Sequence, residues 1–291
     1  ESSPLVDARL ADGSRVNATI PPIALDGPTL NIRKFSKVAF SVDDYVRFGS
    51  MTHEIAYVLK TAVHHRLNVI ISGGTGSGKT TLLNLLASFI RPDERILTIE
   101  DSAELRLPQE HIVRFEARPA NIEGSGMVTI RDLVKNSLRM RPDRIVVGEC
   151  RGGEAVDMLQ AMNTGHDGSL TTVHANSPAD ALSRLETMVL MSGVELPSRA
   201  IREQIASAVN LIVQVSRCVD GTRKLLSVIE INGMSQSGEI SYAEICRFEQ
   251  TAYSPEKGIE GHFACTGGVP RFMQKLIDAG IELDVSMFKG A

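Results

Sequence analysis

From residue 68 onward the chain is expected to fold as α/β, with a parallel sheet covered by helices on both faces. Two observations carry that expectation. Short apolar runs alternate with helical stretches, and the first of these runs leads through a glycine-rich segment straight into a helix.

The expected strands are Asn68–Ser72, Arg95–Ile99, Arg144–Val147, Ser169–His174, Leu211–Val215 and Leu225–Ile231. Helices are expected at Lys79–Phe89, Thr129–Met140 and Glu154–Met162. Ser177-Pro178 opens another as N-cap and first helical residue, with Leu182, Leu185 and Val189 on one face. Ahead of this region, residues 1 to about 40 carry no helical period. Asp12-Gly13, between Ala8–Leu10 and Val16–Ile20, is a two-residue hairpin signal. Pro21-Pro22 and Gly27-Pro28 punctuate the stretch after it. Ser41 with Asp44 makes a capping box for a short helix reaching Phe48. Ile55, Val58, Leu59, Ala62 and Val63 then form one helical stripe, which closes on His64-His65-Arg66, where cations suit a helix C-terminus. Past residue 232 the chain turns polar and glycine-rich until a helical patch at Arg271–Ala279. The expected divisions are 1–50 as the end of a first domain with its linker, 51–235 as the α/β domain, and 236–291 as an extension.

Composition excludes several classes. Of 291 residues, 43% are hydrophobic and 23% charged, which argues against disorder. A net charge of -4, no Trp and 4% aromatics argue against a protein that coats nucleic acid or stacks its bases. The most apolar stretch, Leu82–Ile90, is broken by Asn84 and Ser88, so no run reaches the roughly 18 residues needed to span a bilayer. Four cysteines, at 150, 218, 246 and 265, form no CxxC pair and are expected as free thiols of a reducing cytosol. The sequence starts at Glu1 rather than Met, so it is read as beginning inside a longer protein.

The strongest chemical signal is Gly73-Gly74-Thr75-Gly76-Ser77-Gly78-Lys79-Thr80, a G-x-x-x-x-G-K-[ST] segment with a strand before it and a helix after it. The glycines let backbone N–H groups turn inward around phosphate oxygens, while the helix N-terminus adds positive potential; Thr81 continues the cradle. Lys79 is expected on the β- and γ-phosphates of ATP, and the Thr80 hydroxyl on Mg²⁺. Hydrolysis also needs a carboxylate to orient water. Two acids follow strands, Glu100 after Ile96–Ile99 and Glu149 after Arg144–Val147, and both are expected beyond the carboxyl ends of the sheet. The second P-loop element usually ends in Asp; here Gly148 stands in that place and Glu149 is the first acid, so its Mg²⁺ contact is expected through water. His174, at the end of another strand, is read as a polar contact sensing the γ-phosphate, too far from His166 to share a metal. Among the arginines, Arg15, Arg33, Arg139, Arg141 and Arg144 are candidates for balancing charge on the transferred phosphoryl group. A P-loop kinase is disfavoured by the absence of an arginine-rich lid; a non-hydrolysing nucleotide switch stays open as another class.

Together these residues resemble the secretion ATPases of type II and type IV systems. Ile99–Glu104 resembles that family's aspartate box, Leu138–Glu149 its modified second nucleotide motif and Gly165–Asn176 its histidine box. The wording Arg151–Ala155 and Ala161–His166 is most similar to the CpaF branch, motors of tight-adherence (Flp-type) pili. The resemblance runs from about residue 1 to 235, and Ser3–Phe35 is similar to the end of the family's N-terminal domain. It implies a RecA-like P-loop domain preceded by a partial α+β N-terminal domain, and a homo-hexamer. That ring would be cytoplasmic, peripheral on the inner membrane and docked on a platform protein, hydrolysing ATP with Mg²⁺ to power pilus assembly or secretion. It further implies Glu149 as general base, Glu100 and His174 as couplers of hydrolysis to domain movement, and Arg15 and Arg33 as γ-phosphate contacts. A conjugation-type type IV secretion ATPase is the nearest alternative.

Overall fold

The structure is a computed structural model that describes residues 4–34, 39–121, 123–265 and 268–288. Glu1, Ser3 and Phe35, which entered the reading of the chain's start, lie outside the described residues. The chain divides into two compact units, Glu1–Ala39 and Phe40–Ala291. The division falls about ten residues before the expected one at 50, because the capping-box helix belongs to the second unit.

The first unit is a three-stranded antiparallel sheet of β1 (Leu5–Arg9), β2 (Arg15–Thr19) and β3 (Thr29–Arg33). The hairpin connection is longer than two residues: Arg9 pairs with Arg15, leaving 10–14 as the loop, in which Asp12 accepts from the Ser14 amide.

In the second unit, α1 (Val42–Arg47) carries the expected Ser41/Asp44 capping box, and α2 (His53–His64) buries the predicted stripe. Then come β4 (Val69–Gly73), α3 (Lys79–Ala87), β5 (Ile96–Glu100), β6 (Ile112–Glu116), α4 (Ile130–Ser137) and β7 (Arg144–Cys150). After these stand α5 (Glu154–Asn163), β8 (Leu170–Val173), α6 (Pro178–Met191), α7 (Ser198–Ala208), β9 (Leu211–Arg217) and β10 (Arg223–Met234). Next follow β11 (Ile240–Ser254), β12 (Gly258–Cys265) and α8 (Arg271–Asp278), with a short 3-10 turn at Ser286–Phe288.

The described strands of this unit form one nine-stranded sheet ordered β12-β11-β10-β9-β4-β8-β7-β5-β6. From β9 to β6 every pairing is parallel, as expected; from β9 to β12 every pairing is antiparallel. Alternation of the pleat explains the two covered faces. Val69, Ile71, Leu211 and Val213 join α2, α3 and α8 in one core, while Ile70, Ile145, Val147 and Ile212 join α4 to α7 in the other.

Residues 236–265, read in sequence as a polar extension, add β11 and β12 to this same sheet. The segment after them is anchored too: buried Glu230 of β10 accepts from the Arg271 and Phe272 amides, closing the amino end of α8. Phe272 and Met273 then enter the core beside α2. At the amino edge of the parallel strands, Arg144 is wholly buried. It donates to Glu94 Oε2 and to the carbonyls of Val63 (2.7 Å) and Gly168 (3.1 Å).

Candidate functional site

Register alone brings the predicted motifs together. β4, β8, β7 and β5 are adjacent and parallel. Ser72 pairs with Val173, so His174 comes next beside Gly73; Ile99 pairs with Val147, so Glu100 comes next beside Gly148. The glycine-rich loop, His174, Glu149 and Glu100 therefore stand in a row at the carboxyl ends of four adjacent strands, the side on which ligands of open α/β sheets bind.

The loop spans residues 74–78 between β4 and α3. Gly78 is the α3 N-cap at φ 96°, a left-handed conformation that a side chain would strain. It offers no capping side chain, whereas Ser41, Thr52, Thr129 and Ser177 cap α1, α2, α4 and α6. The first-turn amides of α3 are thus left for another acceptor. Ser77 Oγ donates to the Gly74 carbonyl at 2.8 Å and folds the loop on itself. Lys79 Nζ donates to the carbonyls of Gly73 and Gly74, each at 2.9 Å. Burial pulls the Lys79 ammonium below its ordinary value, and the charge of Glu149 works against that pull. Thr75, Gly76 and Thr81 are exposed at the rim, Thr80 is half-buried, and a Cβ on Gly74 would come 3.9 Å from Asn176 Oδ1.

The two acids differ in environment. Glu149 lies where the β7–β8 register shifts between Val147 and Cys150, an irregularity of the kind that re-aims a side chain. Thr172 Oγ1 donates to the Gly148 carbonyl at 2.8 Å and fixes that kink. The Glu149 carboxylate accepts from Arg151 Nη2 at 2.9 Å, and the same guanidinium reaches Asp101 Oδ2 at 2.8 Å. Glu100 is buried. Its Oε2 accepts from the Glu104 and Leu105 amides at 2.7 and 2.9 Å, while Oε1 has no partner among the described residues. Burial pushes its carboxyl above the ordinary range, and the two amides hold it back. Glu100 also explains the missing Asp: a Cβ at Gly148 would lie 3.1 Å from Glu100 Cγ. The methylene stem of Glu100 on the neighbouring strand crowds the space a side chain at 148 would need.

Within the second unit, Arg139, Arg141 and Arg144 are not gathered here. Arg141, at φ 52°, precedes β7 at the amino edge of the parallel strands, opposite to the loop, and Arg139 lies in the turn that follows α4. Arg144 is spent on its buried pairing with Glu94. Arg15 and Arg33 face each other across β2 and β3 in the first unit, in register with Arg9. Two residues beside the loop went unread in the sequence. Arg151 appeared only as part of a motif's wording. Arg223, far along the chain, donates from Nε to the Gly76 carbonyl at 3.0 Å. Only the register of β10 on β9 and of β9 on β4 brings it there, and no local pattern encodes that.

Among solved structures, the VirB11 ATPase of the Brucella suis type IV secretion system in complex with sulphate is 32% identical, with a TM-score of 0.55. The match covers 78% of this chain and 76% of that one. A putative conjugal transfer protein of Mycobacterium tuberculosis is 40% identical over 234 residues, 78% of this chain and 66% of that protein. The conjugal transfer protein TrbB of Rhizobium radiobacter is 38% identical over 237 residues, 80% and 69% respectively. This chain thus spans about two thirds of the length of these conjugal relatives. The resemblance drawn from the four motifs now has independent support, since the family model described as Type II/IV secretion system protein matches residues 1–259: the chain belongs to that family.

Proposed function

We propose that this chain is an ATP-hydrolysing motor subunit of a conjugation-type type IV secretion machine. The observation that carries the reading is the row of P-loop, His174, Glu149 and Glu100 across four adjacent parallel strands. The conjugal-transfer and VirB11 names of its relatives favour this machine over the tight-adherence pilus that the motif wording suggested.

The residues fit a Mg²⁺–nucleotide. The amides of Gly78 to Thr81 open the uncapped α3, and hard oxygen donors stand nearby in Thr80, Glu149 and the unpartnered Oε1 of Glu100. Thr80 would hold Mg²⁺, with Glu149 reaching it through water, and the ion would neutralise charge on the phosphate oxygens. Lys79 exchanges its two loop carbonyls for β- and γ-phosphate oxygens. Glu149 orients the attacking water once Arg151 yields its carboxylate, and takes up the proton that water releases. Glu100, whose carboxyl burial raises above the ordinary range, and His174 would sense the loss of the γ-phosphate. Arg15 and Arg33 are kept as further γ-phosphate contacts on the strength of the family resemblance alone.

The working form is a homo-hexamer on the cytoplasmic face of the inner membrane, attached through a platform protein. No helix among the described residues is long and apolar enough to cross a membrane. The test is ATP turnover measured against protein concentration, with mass by light scattering. Activity that rises faster than linearly as six-chain particles appear supports the ring; linear activity from a monomer refutes it.

A further inference from the structure

We propose that Cys246 and Cys265 form an oxidisable dithiol, closed by a hydroperoxide into an intrachain disulfide that staples β12 to β11. The two residues are direct partners in the antiparallel β11–β12 ladder. Facing residues of such a ladder have Cα atoms about 4.5 or 5.5 Å apart, inside the roughly 4.4–6.8 Å that a disulfide spans. Here the side chains also converge, with the Sγ atoms 2.8 Å apart. Both cysteines are free thiols.

Their surroundings assign separate roles. Cys265 is partly exposed and Cys246 is buried in the core beside α2. The contact with Cys246 draws the Cys265 thiol below its ordinary value, against burial and the Glu54 carboxylate. The same contact, together with burial, pushes Cys246 up. Cys265, the part-exposed sulfur of the pair, is therefore the one a peroxide meets first, and buried Cys246 is the resolving thiol. The other two cysteines lack this arrangement: Cys150 is buried against Thr171, its thiol pushed up to about 12 by burial, and Cys218 is raised by burial as well.

The chemistry balances. The Cys265 thiolate attacks one peroxide oxygen, the O–O bond breaks, and the departing hydroxide leaves as water after taking a proton. The Cys246 sulfur then attacks the resulting sulfenic acid, the S–O bond breaks, and the second hydroxide takes the Cys246 proton to leave as water. Two thiols lose two electrons and one peroxide gains them. The bond ties the last residue of β12 to β11 just ahead of α8, whose amino end is already held by Glu230. Oxidation thus fixes the C-terminal segment to the sheet at a second point.

The test uses the whole 291-residue chain, reduced and then treated with hydrogen peroxide. Thiols titrated in denaturant are expected to fall from four per chain to two. Peptide mapping without reductant should find a 246–265 cross-link, and dithiothreitol should restore all four thiols. Chain unfolded in urea before treatment should give mixed pairs, because the fold makes the choice. Cys265→Ser should abolish the cross-link, while Cys218→Ser should keep it. Four thiols surviving treatment, a different pair, links only between chains, or sulfinic acids without a cross-link would each overturn the proposal. The decisive mapping is made on the parent chain, so it does not depend on any variant folding.

Discussion

Replacing Gly148 with Asp restores the acid usual in P-loop proteins, and here it should destabilise the chain. A Cβ at 148 sits 3.1 Å from Glu100 Cγ, and that side chain is buried and pinned by two amides. Crowding alone costs about 1 kcal/mol, which Gly148→Ala would reveal. Asp adds a carboxylate whose carbon falls on the order of 4 Å from that of Glu100; two like charges at that distance repel by about 4 kcal/mol at an effective dielectric of 20. Part of that is relieved by protonating Glu100, already pushed toward neutrality by burial, so the expected loss is about 3 kcal/mol. The assay is urea unfolding at pH 8 of Gly148→Asp, Glu100→Ala and the double variant. In the Glu100→Ala background the cost of Asp should drop below about 1 kcal/mol. An equal cost in both backgrounds would refute the idea that Glu100 occupies the missing side chain's place.

Three further outcomes are expected. Lys79→Ala should weaken binding of a fluorescent ATP analogue by at least about tenfold, because the loop loses the ammonium directed at the phosphates; unchanged binding would place the nucleotide elsewhere. Glu100→Gln should alter the pH profile of stability. The folded carboxyl is raised, so the native state binds its proton more tightly than the unfolded chain, and the parent loses stability as pH climbs above the ordinary carboxylate range. The variant should then be the more stable at pH 8, with the advantage shrinking toward pH 5 in urea midpoints. Arg144→Met should cost about 3 kcal/mol by leaving buried Glu94 and two carbonyls short of a donor. Adding Glu94→Gln should recover part of that in the same unfolding assay.

How much the sequence disclosed depended on the range of each signal. The glycine-rich loop is local, and its strand–loop–helix setting was legible together with its chemistry. The capping pairs Ser41/Asp44 and Ser177-Pro178 and the α2 stripe were legible for the same reason. That Glu149 and Glu100 share a site came from strand ends in a parallel sheet, a rule about topology that needs no distances. What escaped was set by long-range pairing. β11 buries only the adjacent pair Ile245 and Cys246, its other residues are part or fully exposed in runs that do not alternate, and its pairings shift register, so it carries no two-residue period to separate it from a loop. The contact of Arg223 with Gly76 and the opposition of Cys246 to Cys265 are products of register, which a linear reading does not give. Arg141 and Arg144 lie away from the loop for a complementary reason: proximity in sequence to Glu149 means, along a strand, the other end of the sheet.

In the proposed chemistry Glu149 is the group that would orient water over the P-loop. ATP binding and ATP turnover measured side by side for the parent chain and Glu149→Gln test that role. Binding should stay within about threefold while turnover falls about 10²-fold or more, since the amide keeps the shape but cannot accept the water's proton. Turnover retained in Glu149→Gln would contradict the assignment and pass the role to Glu100.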